Sequence, residues 1–199
     1  MNRKIANILK ERIEGLSFVD RIAGLVQPVR VDVKSGDGRS EKVFPISCDL
    51  EYSECIKGKH EDLAPNSRYK SVVYFEDNGV RFVRRERHLL YYESSLRLVG
   101  WLNLAKLYDK ECKPDVCDLS ACAITEVIQA IDSSPYHDDP FMHLYSIITS
   151  QEIRDANIFG RYTYNEKVTQ YLMSPYDFFA LNIQTAFAIP VGCVDACVK

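Results

Sequence analysis

The chain has 199 residues, of which 46% are hydrophobic and 27% charged, the composition of one globular domain able to bury a sizeable core, which excludes disorder over most of the length. Its net charge of −3 supplies no global attraction to nucleic acid or to an anionic membrane, so any such contact needs a local basic patch. No stretch reaches the roughly 18 apolar residues of a membrane span, and Lys10, Glu11 and Arg12 interrupt the first apolar run where an export signal would need continuity. Folding in a cytosol, away from membranes, is therefore expected. The 7 cysteines, an odd number, argue for reduced thiols over a disulfide framework.

Taken in chain order, Ile5, Ile8, Leu9 and Ile13 recur at helical spacing and predict an N-terminal amphipathic helix ending near Gly15. Ser17 can cap a second short helix carrying Val19, Ile22 and Leu25, stopped by Pro28. Val29, Val31 and Val33 alternate with polar residues as in a half-buried strand, Ser35–Gly38 reads as a turn, and Val43–Cys48 as the returning strand. Pro45 cannot donate to a ladder, which places that strand at an edge or a bulge. Residues 53–67 read as a polar loop. Tyr69–Asp77 and Val80–Arg87 flank Asn78-Gly79, the pattern of a two-residue hairpin in which Glu76 faces Arg81 and Phe75 faces Phe82.

A strand from about Ser95 to Lys106 follows, with Leu96, Leu98, Gly100, Leu102 and Leu104 on one face and Arg97, Val99, Trp101 and Asn103 on the other. Ile124, Val127, Ile128 and Ile131 predict a second main helix, capped by Asp118 or Ser120. Residues 133–140 read as a loop. Phe141–Ile148 fits strand or helix, and Thr149 and Glu152 have the spacing of a capping box. Phe179–Ile189 alternates cleanly and ends at Pro190. The predicted fold is a single α+β domain over 1–199, an antiparallel or mixed sheet with two main helices packed on one face.

No catalytic constellation stands out. Cys112, Cys117, Cys122, Cys193 and Cys197 lack the Cys-x2-Cys knuckle of a zinc site, so buried thiols are the preferred reading and no metal or cofactor is expected. His137 beside Asp138 and Asp139 reads as a solvated turn. There is no Gly-x-Ser-x-Gly elbow and no phosphate-cradling glycine loop. Arg81, Arg84, Arg85 and Arg87, interleaved with Phe82 and followed by Tyr91 and Tyr92, form a basic stretch that could meet DNA or an acidic partner. The alternative is a solvated face paired with Glu76, Glu86 and Glu93.

The most distinctive segment is 157–179. Phe159, Arg161, Tyr162, Tyr164, Tyr171, Tyr176 and Phe178 are candidate interface residues of an arm laid on a neighbour. A loop wrapped over its own core would use the same side chains. Residues 190–199 form a short cysteine-containing tail.

In order of elements, Ile5–Leu25 leading to Val29–Val33, then Ser95–Asn103, the helix near Ile124–Ile131 and the strand Phe179–Ile189 resemble the neck-ring and tail-completion (tail-terminator-like) proteins of tailed bacteriophages. The segment Tyr171-Leu-Met-Ser-Pro-Tyr-Asp-Phe-Phe179 resembles structural proteins of crAss-like phages. The basic hairpin and the cysteine-containing tail depart from the pattern. The resemblance implies a non-enzymatic virion component: a homo-oligomeric ring of six or twelve copies joining portal to tail, in contact with portal, ring or tail proteins. Genomic DNA would pass through without sequence readout. Each subunit of such a ring uses two different surfaces, and the sheet edge and segment 157–179 are the candidates. The rival readings are a small enzyme dependent on Cys/His or zinc, and a non-viral protein-interaction module.

Overall fold

Helix α1, Asn2–Ile13, buries Ile5, Ala6, Ile8, Leu9 and Ile13 along one side, the stripe that its apolar spacing predicts. The computed structural model describes residues 1–35, 38–50, 61–107, 119–132, 136–139, 142–155, 157–163 and 172–191. Strand β1 (Arg21–Ser35) pairs antiparallel with β2 (Gly38–Ser47), Ser35 opposite Gly38; the centre of the expected turn, residues 36–37, lies outside the described residues. Strands β3 (Ser71–Glu86) and β4 (Leu89–Asn103) follow, then the short helix α2 (Leu104–Leu107). Helix α3 (Leu119–Asp132) precedes β5 (Tyr136–Asp139), β6 (Met142–Ile153) and β7 (Tyr176–Pro190).

All seven strands join one sheet in the order β2-β1-β3-β4-β7-β6-β5. The β1–β3 pair is parallel and the others antiparallel, so the protein is α+β with a mixed sheet. Helices α1 and α3 share one face, where Ile5, Leu9, Val127 and Ile131 meet Phe75, Leu96, Leu98, Phe179 and Leu181. Gly100 makes room there for a ring: a Cβ at this position would lie 2.4 Å from Phe179. The opposite face carries a second cluster of Val72, Tyr74, Val99, Trp101 and Ala180, covered by Ile158, Phe159 and Tyr162.

Four expectations are corrected. The short helix expected at 17–28 is strand β1 beyond a turn. One extra residue sits in β1 between Ile22 and Leu25 relative to β3, so a bulge brings two residues three apart onto one face and imitates a helical period. The Asn78-Gly79 hairpin is absent. β3 runs straight through, with a bulge between Asp77 and Val80, and the chain reverses at Arg87-His88. Gly79 has φ +108° and Arg87 φ +50°; the glycine's positive φ serves the bulge, and Glu76 pairs in register with Arg97. The capping-box pair Thr149 and Glu152 lies within β6, and part of the 133–140 loop is β5.

The edge position expected for Pro45 holds, since β2 is the first strand of the sheet. Of the two caps expected for α3, Ser120 lies inside the helix and Asp118 lies outside the described residues, as do residues 53–60 of the polar loop.

Candidate assembly surface

The surface arises where β1 and β3 part. Cys48 N–H donates to Leu25 C=O at 2.9 Å, so odd-numbered residues of β1 bond to β2 and even-numbered ones turn toward β3. The last β1–β3 pair is Val26 with Glu76. The next even position is Pro28, which has no N–H to donate, and the parallel ladder ends there. Beyond this point β1 and β2 continue as one hairpin while β3 continues with β4. The fork holds a cleft of about 260 Å³ lined by Leu25, Val26, Pro28, Cys48, Asp77 and Arg161.

Freed of β1, the outer half of β3 becomes an edge. Asp77 to Glu86 are all exposed, against six buried residues in the inner half. Among the described residues no strand lies beside that edge. Phe82 remains 53% exposed, with Val80 and Val83 exposed beside it. One side of its ring rests edge-on against Tyr92 at 5.6 Å, and Tyr92 stacks on Phe187 at 5.4 Å. The apolar strip is thus braced across three strands.

The four arginines of the basic stretch frame this strip, and all are exposed. Arg81 is paired with Glu93, and Arg84 lies 3.6 Å from Glu86 and over the Tyr91 ring at 4.8 Å. A second bulge between Phe82 and Arg84 brings Arg81 and Arg84 to one face, where strict alternation would have separated them.

The aromatic segment lies elsewhere. Residues 157–163 cross the second face of the sheet and bridge the fork. Thr163 N–H donates to Val43 C=O at 3.0 Å, and Thr163 Oγ1 accepts from Val43 N–H at 2.8 Å. On the other prong Arg161 Nη2 donates to Asn78 Oδ1 at 2.8 Å. Phe159 and Tyr162 are buried against their own sheet, so their rings are withheld from a neighbour. Tyr176 stacks on Trp101 at 5.3 Å, and Phe178 packs on Phe159 at 5.3 Å. Arg161 is the exposed member of this group; Tyr164 and Tyr171 lie outside the described residues.

Under the segment sits an ionic cluster that sequence reasoning missed. Glu76 is 1% exposed. Tyr162 Oη donates to its Oε1 at 2.7 Å, while Arg97 Nη1 and Arg161 Nη1 each lie 3.5 Å from its Oε2. Arg97 also donates to Glu152, whose Oε1 accepts from Asn182 Nδ2 at 2.9 Å. The available signal was Arg97 itself, a charge on a strand face shared with Val99 and Trp101. Such a cluster holds an arm in place, because an unpaired charge left under it would be costly.

As for chemistry, no group of three or more His, Cys, Asp or Glu side chains that could hold a metal ion occurs among the described residues. His137 and His143 lie on β5 and β6, with His143 in register with Asp138; His60, Cys55, Cys112, Cys117, Cys193 and Cys197 lie outside the described residues. Cys122 is exposed and Cys48 half-buried, and burial pushes the Cys48 thiol pKa up. No helix is long and apolar enough to cross a membrane among the described residues. No protein-family profile matches the chain, and no curated protein matches it either.

Proposed function

We propose that this chain is a structural subunit that assembles with copies of itself into a ring in the neck or tail of a tailed bacteriophage, joining portal to tail around the DNA passage. One observation carries the assembly: ten consecutive exposed residues of β3 form an open edge with Phe82 at its centre and arginines around it. Aromatic and arginine side chains together are what protein contacts enrich. The two bulges and the charges along this edge discourage indiscriminate strand addition, which suits a contact reserved for one partner. The phage setting rests on the sequence resemblance to neck-ring and tail-completion proteins, of which the segment 17–28, expected as helix, is strand β1 beyond a turn here. In that setting the subunit binds no cofactor and its place is the virion.

Size-exclusion chromatography with light scattering, followed by negative-stain electron microscopy, tests the reading. Closed rings of six or twelve copies are expected. A monomer at the highest soluble concentration overturns it.

A further inference from the structure

Reversal of the β3–β4 hairpin at Arg87-His88, and not at Asn78-Gly79, moves the basic stretch from the middle of a strand to the end of the sheet. Glu86 is the last β3 residue in register and Leu89 the first of β4. Arg84, Arg85, Arg87 and His88 therefore occupy one tight turn and the residues leading into it. The turn is fixed from beside: His88 C=O accepts from Val191 N–H at 2.8 Å, and Leu89 pairs with Pro190 of β7.

Arg81 stands apart from this group, because Glu93 already holds it further back along the strand. Arg84 lies 3.6 Å from Glu86, and the Tyr91 ring supports its guanidinium at 4.8 Å. Arg85 and Arg87 have no acidic partner among the described residues. Arg84 is opposite Tyr91 and Arg85 opposite Leu90, so these two point to opposite faces of the sheet. Arg87, at φ +50°, sits in the turn itself. Exposed cations thus flank the turn on both sides. Residues 84–88 read Arg-Arg-Glu-Arg-His, a net +2 from three arginines and one glutamate, with no apolar side chain.

We infer that this turn binds the phosphodiester backbone of duplex DNA without reading its sequence. A guanidinium matches a phosphate with two parallel hydrogen bonds. The backbone presents a charge at every step, so it can meet groups on both sides of a turn with no fixed register. An acidic protein segment is the weaker fit, because protein contacts centre on apolar anchors and the turn offers none. The apolar strip of Val80, Phe82 and Val83 lies behind it on β3. The inference rests on the assembly reading above and names the residues that face the DNA passage. In a ring the turn recurs once per copy, so a weak contact from each subunit is multiplied. Contacts made only to phosphate carry no sequence information.

Fluorescence anisotropy of a labelled random-sequence duplex, titrated with the full chain at increasing sodium chloride, is the test. Binding is expected, weakening as salt rises. R85A/R87A, with folding verified by circular dichroism, should bind about tenfold more weakly or less tightly still. Its slope of log affinity against log salt should flatten by about two for each subunit in contact. R85K/R87K, which keeps both charges, should retain most of the slope, and a duplex of unrelated sequence should bind alike. Absence of binding, or binding that R85A/R87A leaves unchanged, overturns the inference. Binding of poly-L-glutamate in preference to DNA gives the arginines to an acidic protein and overturns it as well. Light scattering on the same samples separates it from the assembly reading. Rings that bind no DNA overturn this inference alone; a monomer whose DNA binding depends on Arg85 and Arg87 overturns the ring alone.

Discussion

At the scale of single residues, the ion pair beneath the aromatic segment is the most exacting feature. Glu76 and Arg97 are both buried, with Arg97 shared between Glu76 and Glu152. Truncating one partner strands the other in a poorly solvated site. Arg97→Ala is expected to cost about 3–5 kcal/mol in urea unfolding, whereas R97M/E76L, which removes both buried charges but leaves Tyr162 Oη and Arg161 without Glu76, should recover part of that loss. Tyr162→Phe deletes only the hydroxyl that donates to Glu76 and should cost about 1–2 kcal/mol, with faster hydrogen exchange at 157–163. Gly100→Ala drives a methyl into the Phe179 ring; a loss of about 1–3 kcal/mol is expected from overpacking, measured by thermal unfolding. Cys48 gives a prediction in pH. Its thiol pKa is raised in the folded state, first by burial, with the charge of Asp49 adding and Arg3 opposing. The folded protein therefore holds that proton more tightly than the unfolded chain. This stabilisation is complete below the ordinary thiol range and is lost as pH rises through the folded pKa. Alkylation of Cys48 near neutral pH should accordingly be slower than that of exposed Cys122, resolved by mass spectrometry of the labelled peptides.

At the scale of elements, those set by local period were legible in the sequence. The stripe Ile5, Ile8, Leu9 and Ile13 gave α1, and Ile124, Val127 and Ile131 gave α3. The alternation of Leu96, Leu98, Gly100 and Leu102 gave the second half of β4, whereas Leu104–Lys106, expected to extend it, belong to helix α2 and residues 89–94 extend it at the other end; the alternation of Phe179 to Ile189 gave β7. Errors fell where a bulge changed the period. Ile22 and Leu25 read as helical because the inserted residue between them puts both on one face. Asn78-Gly79 read as a hairpin because positive φ serves a turn and a bulge alike. Thr149 and Glu152 have capping spacing, yet Thr149 Oγ1 donates to Asn182 C=O across the sheet. The paired charges Glu76 and Arg97 were illegible for a different reason: their contact depends on where the strand reverses, and a hairpin at residue 78 would have placed Glu76 opposite Arg81. Gly79→Val tests the bulge. A β-branched residue at φ +108° is strained by about 1–3 kcal/mol, so the thermal midpoint should fall, with no loss expected at the true reversal, Arg87-His88.

At the scale of the whole molecule, the exposed arginines along the β3 edge make assembly through that edge sensitive to ionic strength. Exposed charges are screened beyond about 10 Å at 0.1 M salt, so the concentration required for assembly should rise with added sodium chloride in light scattering. The joint between β1 and β3 has a separate consequence. It consists of four register pairs interrupted by a bulge, against fifteen between β4 and β7. Beside those pairs the β1–β2 prong is fastened by α1 on one side, which is tied to Asp49 after β2 through Arg3 and to Asp77 of β3 through Asn2, and by the Thr163–Val43 clasp on the other. Under mechanical load the prong should peel away before strands β3, β4, β7 and β6 separate from one another, as a weakly laddered joint opens before strongly laddered ones.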